Sequence, residues 1–228
     1  MFFDYYFSYW ILIPAVLLSA YASIKVNSTF KRYSRVSNSR GITGYDCARR
    51  ILDSNGLSDV EIERVSGSLT DHYDPRKRVL RLSETVFNAS SVSAISVAAH
   101  ECGHAIQHQE GYAPLSFRNT IFPVVNIASY ASWIFIVLGI IFSGFSFLVP
   151  LGIIFFAATV LFQLVTLPVE FDASNRALKI LSETGMVYGG EEKAAKKVLS
   201  AAALTYVAAA LAAVLQLLRL IIIFGNDR

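Results

Sequence analysis

Residues 119–168 decide the fold, and they read NTIFPVVNIASYASWIFIVLGIIFSGFSFLVPLGIIFFAATVLFQLVTLP. This stretch of 50 residues contains no Asp, Glu, Lys or Arg. Because a helix rises about 1.5 Å per residue and the hydrocarbon core of a bilayer is about 30 Å thick, about 20 apolar residues cross it once. The stretch is too long for one crossing, and Ser143-Gly144 is its one turn signal. It therefore predicts a hairpin of two transmembrane helices.

The charges of the 228-residue chain are concentrated in two segments. Residues 25–118 hold 23 of the 37 charged residues and residues 169–200 hold 10, whereas the other 102 residues hold only four. Hydrophobic residues make up 54% of the chain, charged residues make up 16%, and the mean hydropathy is +0.48. These values exclude a disordered chain, an ordinary soluble α/β enzyme and a disulfide-rich secreted domain. We therefore expect a membrane protein that contacts the lipid bilayer and carries two soluble inserts.

Four transmembrane helices fit the charge-poor stretches, at about residues 5–24, 121–142, 147–167 and 201–224. A cleavable signal peptide is the alternative for the first, because Ala20-Tyr21-Ala22 is similar to a cleavage site, but no basic segment precedes it. The predicted organisation is a transmembrane helix in 1–24, a cytoplasmic part in 25–118, a transmembrane hairpin in 119–168, a second cytoplasmic part in 169–200, and a last transmembrane helix with its tail in 201–228.

The orientation of the chain follows from its Lys and Arg residues. Residues 25–118 carry 13 of the 20 and residues 169–200 carry five, so by the positive-inside rule both segments face the cytoplasm. Cys47 and Cys102 then lie in a reducing compartment, where a structural disulfide is not expected. This topology also explains the net charge of +3, and we expect no nucleic-acid partner.

Arg219 is the one charged residue inside a predicted span. Its side chain can extend to the outer interface or be covered by a helix partner, and the second case makes Arg219 a place to look for a homo-oligomer.

Local signals in the two charged segments predict a small α+β unit. Thr43 can cap a helix over residues 45–52 that stops at Gly56. Alternating apolar residues predict a strand over residues 60–65, and a turn at Asp74-Pro75-Arg76-Lys77 joins strands over residues 69–73 and 78–82. Helices are predicted over residues 91–109, over 171–183 and from 191 onward. The predicted fold class is a mainly α membrane protein, with four transmembrane helices and an α+β cytoplasmic domain built on a small β-hairpin.

The chemistry concentrates in the H-E-x-x-H motif His100-Glu101-Cys102-Gly103-His104. Two histidines at positions i and i+4 lie on one face of a helix, about 5–6 Å apart, where both imidazoles can bind one zinc ion. Glu101 is one residue further around the helix, where its carboxylate can reach a metal-bound water without being a ligand. The alternative is a helix with two ordinary surface or core histidines.

A catalytic zinc ion takes a third protein ligand, and the sequence offers two candidates. His108 would lie about 12 Å from His100 along the helix axis, too far to share an ion with it. Glu170 follows the third predicted span, and an even number of crossings separates it from His100 and His104. Topology therefore allows these three residues to converge, and Glu170 is the better candidate. A solvated acid at a helix end is the alternative reading of Glu170, and His72 is a further histidine in the hairpin that could polarise a substrate.

The motif and the segment around Glu170 together resemble a known family. Glu170 lies about 65 residues after the H-E-x-x-H in the context Val-Glu-Phe-Asp-Ala-Ser-Asn-Arg-Ala, residues 169–177. This pattern is similar to that of the YugP-like bacterial membrane zinc metallopeptidases, relatives of the HtpX and CAAX-prenyl protease gluzincins. The resemblance implies a zincin-like cytoplasmic domain, Zn²⁺ held by His100, His104 and Glu170, Glu101 as general base, and a place in the bacterial cell membrane.

One position departs from the HtpX pattern, which has Asp four residues after its ligand Glu. Here that position is Ser174. Any supporting contact to the metal ligands then passes to Asp172 or to Asn175, or to neither of them.

The predicted function is zinc-dependent hydrolysis of a polypeptide substrate, in the first place a membrane protein. Zinc would activate a water molecule, and Glu101 would remove its proton and pass it to the leaving amine. The strand over residues 78–82 could pair with an extended substrate if one of its edges is free.

Three alternatives to this function make different demands on the sequence. A site-2-type intramembrane protease would carry its motif inside an apolar span, whereas residues 84–118 contain several charged and amide side chains. A zinc transporter would line its spans with His, Asp or Glu, which the last three predicted spans lack. A zinc-stabilised membrane scaffold or regulator keeps the metal but does not need Glu101.

Overall fold

The computed structural model describes residues 9–225, and these residues are mainly helical. The helices and strands, in chain order, are α1 (Ile13–Tyr33), α2 (Gly44–Ser54), β1 (Glu61–Val65), β2 (His72–Asp74), β3 (Val79–Ser83), α3 (Glu84–Phe87), α4 (Val92–Gln109), α5 (Ala113–Ile141), α6 (Leu148–Glu183) and α7 (Gly190–Phe224).

The chain divides into two compact units. The first comprises Met1–Ala22, Ser116–Pro168 and Thr205–Arg228, and we call it the apolar unit. The second comprises Ser23–Leu115 and Val169–Leu204, and we call it the mixed unit because it contains the sheet as well as helices. Each unit is described by itself below.

Three helices of the described chain are long and apolar enough to cross a membrane: α5, α6 and α7. They coincide with the second, third and fourth predicted spans. The first predicted span begins at residue 5, so its first four residues lie outside the described residues, and α1 does not meet the same criterion within 9–225. The protein is thus a membrane protein with three candidate spanning helices, and the fourth span stays a prediction.

The predicted hairpin of α5 and α6 turns at a short 3₁₀ segment, Ser143–Phe145. Two glycines allow its helices to approach closely. A Cβ atom on Gly152 would lie 2.8 Å from the backbone oxygen of Ser132, and one on Gly139 would lie 2.9 Å from the backbone nitrogen of Val149. Because real Cβ atoms do not come so near, glycine is required at both positions for this packing.

The sheet of the mixed unit has three strands in the order β1-β3-β2. The predicted hairpin is confirmed, since β2 and β3 pair antiparallel. The sequence did not predict that β1 also joins the sheet, where it pairs parallel with β3. As a result β3 is the central strand and has no free edge. The expectation that residues 78–82 pair with a substrate is therefore wrong.

The core of the mixed unit lies between the sheet and the helices packed on it. Leu80 and Leu82 of β3 are fully buried, as are Ile51 of α2 and Ile95 of α4. Thr43 caps α2 as predicted, because its side chain and that of Asp46 each accept from the other's backbone N–H. These contacts fix α2 and the sheet around α4, the helix that carries the H-E-x-x-H motif.

Helix α6 runs unbroken from Leu148 to Glu183. The sequence predicted a span ending near residue 167 and a separate helix starting near residue 171. Pro168 lacks a backbone N–H but does not end the helix. Val169 and Ala173, on the turn that follows, are fully buried, and their packing holds this turn in helical form. Glu170 is therefore carried inside a continuous helix and not at a helix end.

Arg219 is partnered within the apolar unit. Its guanidinium carbon lies 4.2 Å from the ring centroid of Tyr9. Tyr9 belongs to the first predicted span, so this cation–π contact agrees with the expectation that a helix partner covers Arg219, and the partner is a segment of the same chain.

Candidate metal centre

The two histidines of the motif lie on one face of α4, as the i, i+4 spacing predicts. Ser91 caps this helix by accepting a hydrogen bond from the backbone N–H of Ala94. The ring centroids of His100 and His104 lie 4.8 Å apart, with the rings nearly perpendicular. Both side chains are about one-eighth exposed, since their exposed fraction is 12%.

Glu170 of α6 lies against both histidines. Its Oε2 is 3.3 Å from Nε2 of His100 and 3.6 Å from Nε2 of His104, and its side chain is only 4% exposed. The potential ligand atoms of the three residues all lie within 4.8 Å of one another. The structure thus brings together all three residues that the sequence nominated as ligands.

These distances fit a zinc ion. Two ligand atoms bound to zinc at about 2.1 Å, at the tetrahedral angle, lie about 3.4 Å apart. The two nitrogen to oxygen distances at Glu170 are close to that value, and two imidazoles with one carboxylate are a donor set that zinc accepts. Three protein ligands leave a fourth position for water or substrate.

Gly103 explains how Glu170 comes so close to α4. A Cβ atom at this position would lie 2.7 Å from the backbone oxygen of Ala173, closer than real Cβ atoms approach. Glycine between the two histidines of the motif therefore lets α6 pack directly against α4. Cys102, also between them, is buried and points elsewhere, since its Sγ donates to the backbone oxygen of Ala48. Burial holds the pKa of the Cys102 thiol well above its usual range, so this group stays protonated.

Each histidine has a partner on its other ring nitrogen. Nδ1 of His100 lies 3.2 Å from Oγ of Ser174, and Nδ1 of His104 lies 3.0 Å from Oε1 of Gln107. Such contacts orient the ring and leave Nε2 free to face a metal ion. Ser174 stands where the HtpX pattern has Asp, four residues after the ligand Glu. The contact to His100 is made by Ser174 itself, whereas the sequence led us to expect a supporting contact from Asp172, from Asn175 or from neither. Asp172 does not contact a histidine directly but accepts a hydrogen bond from Gln107, which contacts His104. Among the described residues, no contact joins Asn175 to either histidine.

Gln107 fixes the orientation of the His104 ring. The Gln107 side chain is fully buried, and its Nε2 donates to the backbone oxygen of Val169 and to Oδ2 of Asp172. Because both of these partners only accept, the amide group cannot be turned around, and its Oε1 must face His104. Nδ1 of His104 therefore donates to Gln107, and Nε2 is the ring nitrogen that faces Glu170.

Asp172 is held in turn by an ionic contact. Its Oδ2 lies 2.5 Å from Nε of Arg176, whose Nη1 lies 2.7 Å from Oε2 of Glu110. The contacts thus continue from His104 through Gln107 and Asp172 to two charged residues at the surface. Gln107 was missed in the sequence, where its only signal is a polar side chain three residues after His104.

Glu101 lies beside the three candidate ligands without belonging to them. Its side chain is buried, and its Oε2 accepts a hydrogen bond of 3.1 Å from the backbone N–H of Tyr73 in β2. Burial, together with the nearby carboxyl groups of Asp71 and Glu170, raises the pKa of Glu101 to about 7, against the opposing effect of His100.

The two remaining histidines are not part of the cluster. Nδ1 of His108 lies 3.0 Å from the hydroxyl of Tyr73, beyond the motif's last turn. His72 is exposed, and its ring contacts the backbone oxygen of Thr70 and the guanidinium of Arg81.

The fold and the site define a class of protein, a helical membrane protein with a candidate metal centre beside a buried glutamate. The chain belongs to the family described as "Putative neutral zinc metallopeptidase", whose sequence model matches residues 8–225. Zn²⁺ is accordingly its cofactor. The chain is 55% identical over 216 residues to "Putative membrane protease YugP" of Bacillus subtilis (strain 168), and the alignment covers 95% of this chain and 96% of that protein. No solved structure matches it.

Proposed function

We propose that this chain is a membrane-embedded zinc endopeptidase of the gluzincin type, which hydrolyses peptide bonds at the cytoplasmic face of a bacterial cell membrane. One observation carries the proposal: Glu170 of α6 lies against both histidines of the H-E-x-x-H motif, and Glu101 lies beside them. The family and its membrane relative support a peptide substrate and a membrane context.

His100 and His104 would hold the zinc ion through Nε2, and Glu170 would hold it through a carboxylate oxygen. When bound, zinc supplies Lewis acidity, which lowers the pKa of a water molecule and polarises a carbonyl group. Ser174 and Gln107 keep the two rings oriented through their contacts with Nδ1.

Glu101 performs the proton transfers. Its carboxylate takes a proton from the attacking water and returns it to the amine that leaves. The hydrogen bond from Tyr73 N–H holds one of its oxygens in place and leaves the other for water.

Strand β2 is the best candidate to bind an extended substrate. In the described part of the chain β2 pairs only with β3, so its other edge carries no strand. That edge faces the site, because the N–H of Tyr73 points to Glu101 rather than to β3. A polypeptide extended beside this edge would lie next to the candidate metal ligands, while the N–H of Tyr73 stays with Glu101 and is not available to pair with the substrate.

The cytoplasmic location rests on charge. Residues 25–118 and 169–200, which supply every residue of the site, carry 18 of the 20 Lys and Arg residues. By the positive-inside rule this distribution supports a site that faces the cytoplasm.

A zinc-stabilised scaffold without proteolysis is the second candidate, and the burial of the three candidate ligands favours it. The two functions differ in their need for Glu101.

We expect membranes from cells with the Glu101→Gln variant to accumulate substrate proteins that are cleaved in wild-type cells, as measured by quantitative proteomics of N-terminal peptides. A Glu183→Gln variant, changed at an exposed acid of the mixed unit that has no part in the contacts to the histidines, is the matched control. Identical membrane proteomes for the wild type and Glu101→Gln would support the scaffold.

A further inference from the structure

A basic groove in the mixed unit has no part in the metal site. It lies between α1 and α7, has a volume of about 610 Å³, and is lined by ten residues that include five Lys or Arg and no Asp or Glu. The five cations are Lys25, Arg32, Lys193, Lys196 and Lys197.

Two helices present these cations on facing stripes. Lys25, Thr29 and Arg32 follow one another at intervals of four and three residues on α1, and so share one face of that helix. Lys193, Lys197 and Ser200 do the same on α7. The lining of the groove is therefore set by one face of α1 and one face of α7, because the helical spacing of the residues puts them there.

No carboxylate neutralises the groove. Within residues 9–225, no Asp or Glu oxygen lies within 4.0 Å of a side-chain nitrogen of any of its five cations. Other cations of the same unit are paired, as Arg81 is with Glu63 and Asp74. Five positive charges gathered without a counter-charge repel one another, and an anion bound among them would relieve that repulsion.

The rest of the lining indicates what kind of anion fits. Thr29, Tyr33 and Ser200 add hydroxyl groups that can donate hydrogen bonds to anionic oxygens. Ala201 and Leu204 add apolar surface, at the point where the apolar part of α7 begins. A ligand with a negatively charged oxygen group and a hydrocarbon chain would satisfy both parts of this lining.

We propose that the groove binds the phosphate headgroup of an anionic phospholipid. The position of the cations in the sequence argues for a lipid rather than a soluble phosphate. Lys25 directly follows the apolar residues of α1, and Lys197 precedes the apolar stretch 201–224 by four residues. Both stripes are thus located where their helices change from apolar to charged, at the level of lipid headgroups. Basic pockets between helices at this level attract anionic lipids.

The proposal can be tested on the purified full-length protein in detergent by native mass spectrometry. We expect the wild type to retain one dioleoyl phosphatidylglycerol per chain in preference to dioleoyl phosphatidylcholine. The Lys193→Gln/Lys197→Gln variant should bind phosphatidylglycerol about 25-fold more weakly, since each cation near a lipid headgroup contributes roughly a factor of five. Both residues are exposed, so the fold should tolerate the change, and an unaltered melting temperature checks this.

The matched control is Lys31→Gln/Arg35→Gln, which removes two exposed charges next to the groove without changing its lining. This variant should retain the wild-type affinity within about twofold. Equal losses in both variants would overturn the proposal in favour of general surface charge. Equal retention of the two lipids by the wild type would overturn it as well. Displacement of phosphatidylglycerol by inorganic phosphate at millimolar concentration would show that the groove takes a soluble anion.

Discussion

At the scale of single residues, the orientation of Gln107 is the most informative feature of the site. Its two donor contacts, to Val169 and Asp172, leave its oxygen to accept from Nδ1 of His104. An Asp or Glu often performs this task, and here a neutral amide performs it, itself held by a carboxylate. The orientation of the His104 ring is therefore fixed by contacts that reach the surface at Arg176.

Replacing Gln107 by Leu should weaken zinc binding. The change removes the acceptor for Nδ1 of His104 and keeps a similar volume, and losses of this kind typically cost about 10–100-fold in metal affinity. Competition with a fluorescent chelator measures the zinc Kd. Gln109→Leu, an exposed position on the same helix, should leave the Kd unchanged. Equal zinc affinity in Gln107→Leu and the wild type would show that this contact does not orient the ligand.

At the scale of elements, the close contact between α4 and α6 creates the site. Gly103 permits that contact, because any larger residue would collide with the backbone at Ala173. The H-E-x-x-H helix alone carries two of the candidate ligands, and the approach of the third depends on this one packing contact.

Gly103→Ala should therefore damage both stability and zinc binding. Overpacking of a close helix contact typically costs about 1–3 kcal/mol, and any separation of α4 from α6 moves Glu170 away from the histidines. Thermal unfolding with and without zinc measures both effects. The matched control is Gly190→Ala, where the added Cβ meets nothing within 4 Å. A variant at Gly103 that binds zinc with wild-type affinity would contradict the role of this contact.

The sequence predicted those parts of the fold and site that depend on local signals. The Thr43 cap, the Asp74-Pro75 turn and the i, i+4 histidines are each encoded within a few residues, and the structure has the corresponding helix, hairpin and histidine pair. The parallel pairing of β1 with β3 and the contacts of Ser174 and Gln107 depend on packing between distant segments. No local pattern in the sequence encodes them.

At the scale of the whole molecule, the distribution of charge along the chain predicts which segments share a side of the membrane. Residues 25–118 and 169–200 are predicted to face the cytoplasm, and the turn at residues 143–146 is predicted to face outward. The native Cys47 and Cys102 are fully buried and should not react with a maleimide, so labelling reports the introduced cysteine.

Cysteine labelling in intact cells tests this topology. We expect Gly144→Cys to react with a membrane-impermeant maleimide and Lys179→Cys to react only after the cells are permeabilised. Both positions are exposed, so the difference reports the side of the membrane rather than burial. The reverse pattern would place the candidate metal centre outside the cell.

The measurement that tests the central claim most directly is peptide-bond hydrolysis by the purified full-length protein, compared with Glu101→Gln at equal zinc content. We predict that zinc occupancy stays at the wild-type level, because Glu101 lies outside the ligand set, and that kcat falls at least about 100-fold, because the proton acceptor is lost. Retention of wild-type hydrolysis by a zinc-loaded Glu101→Gln protein would contradict the account.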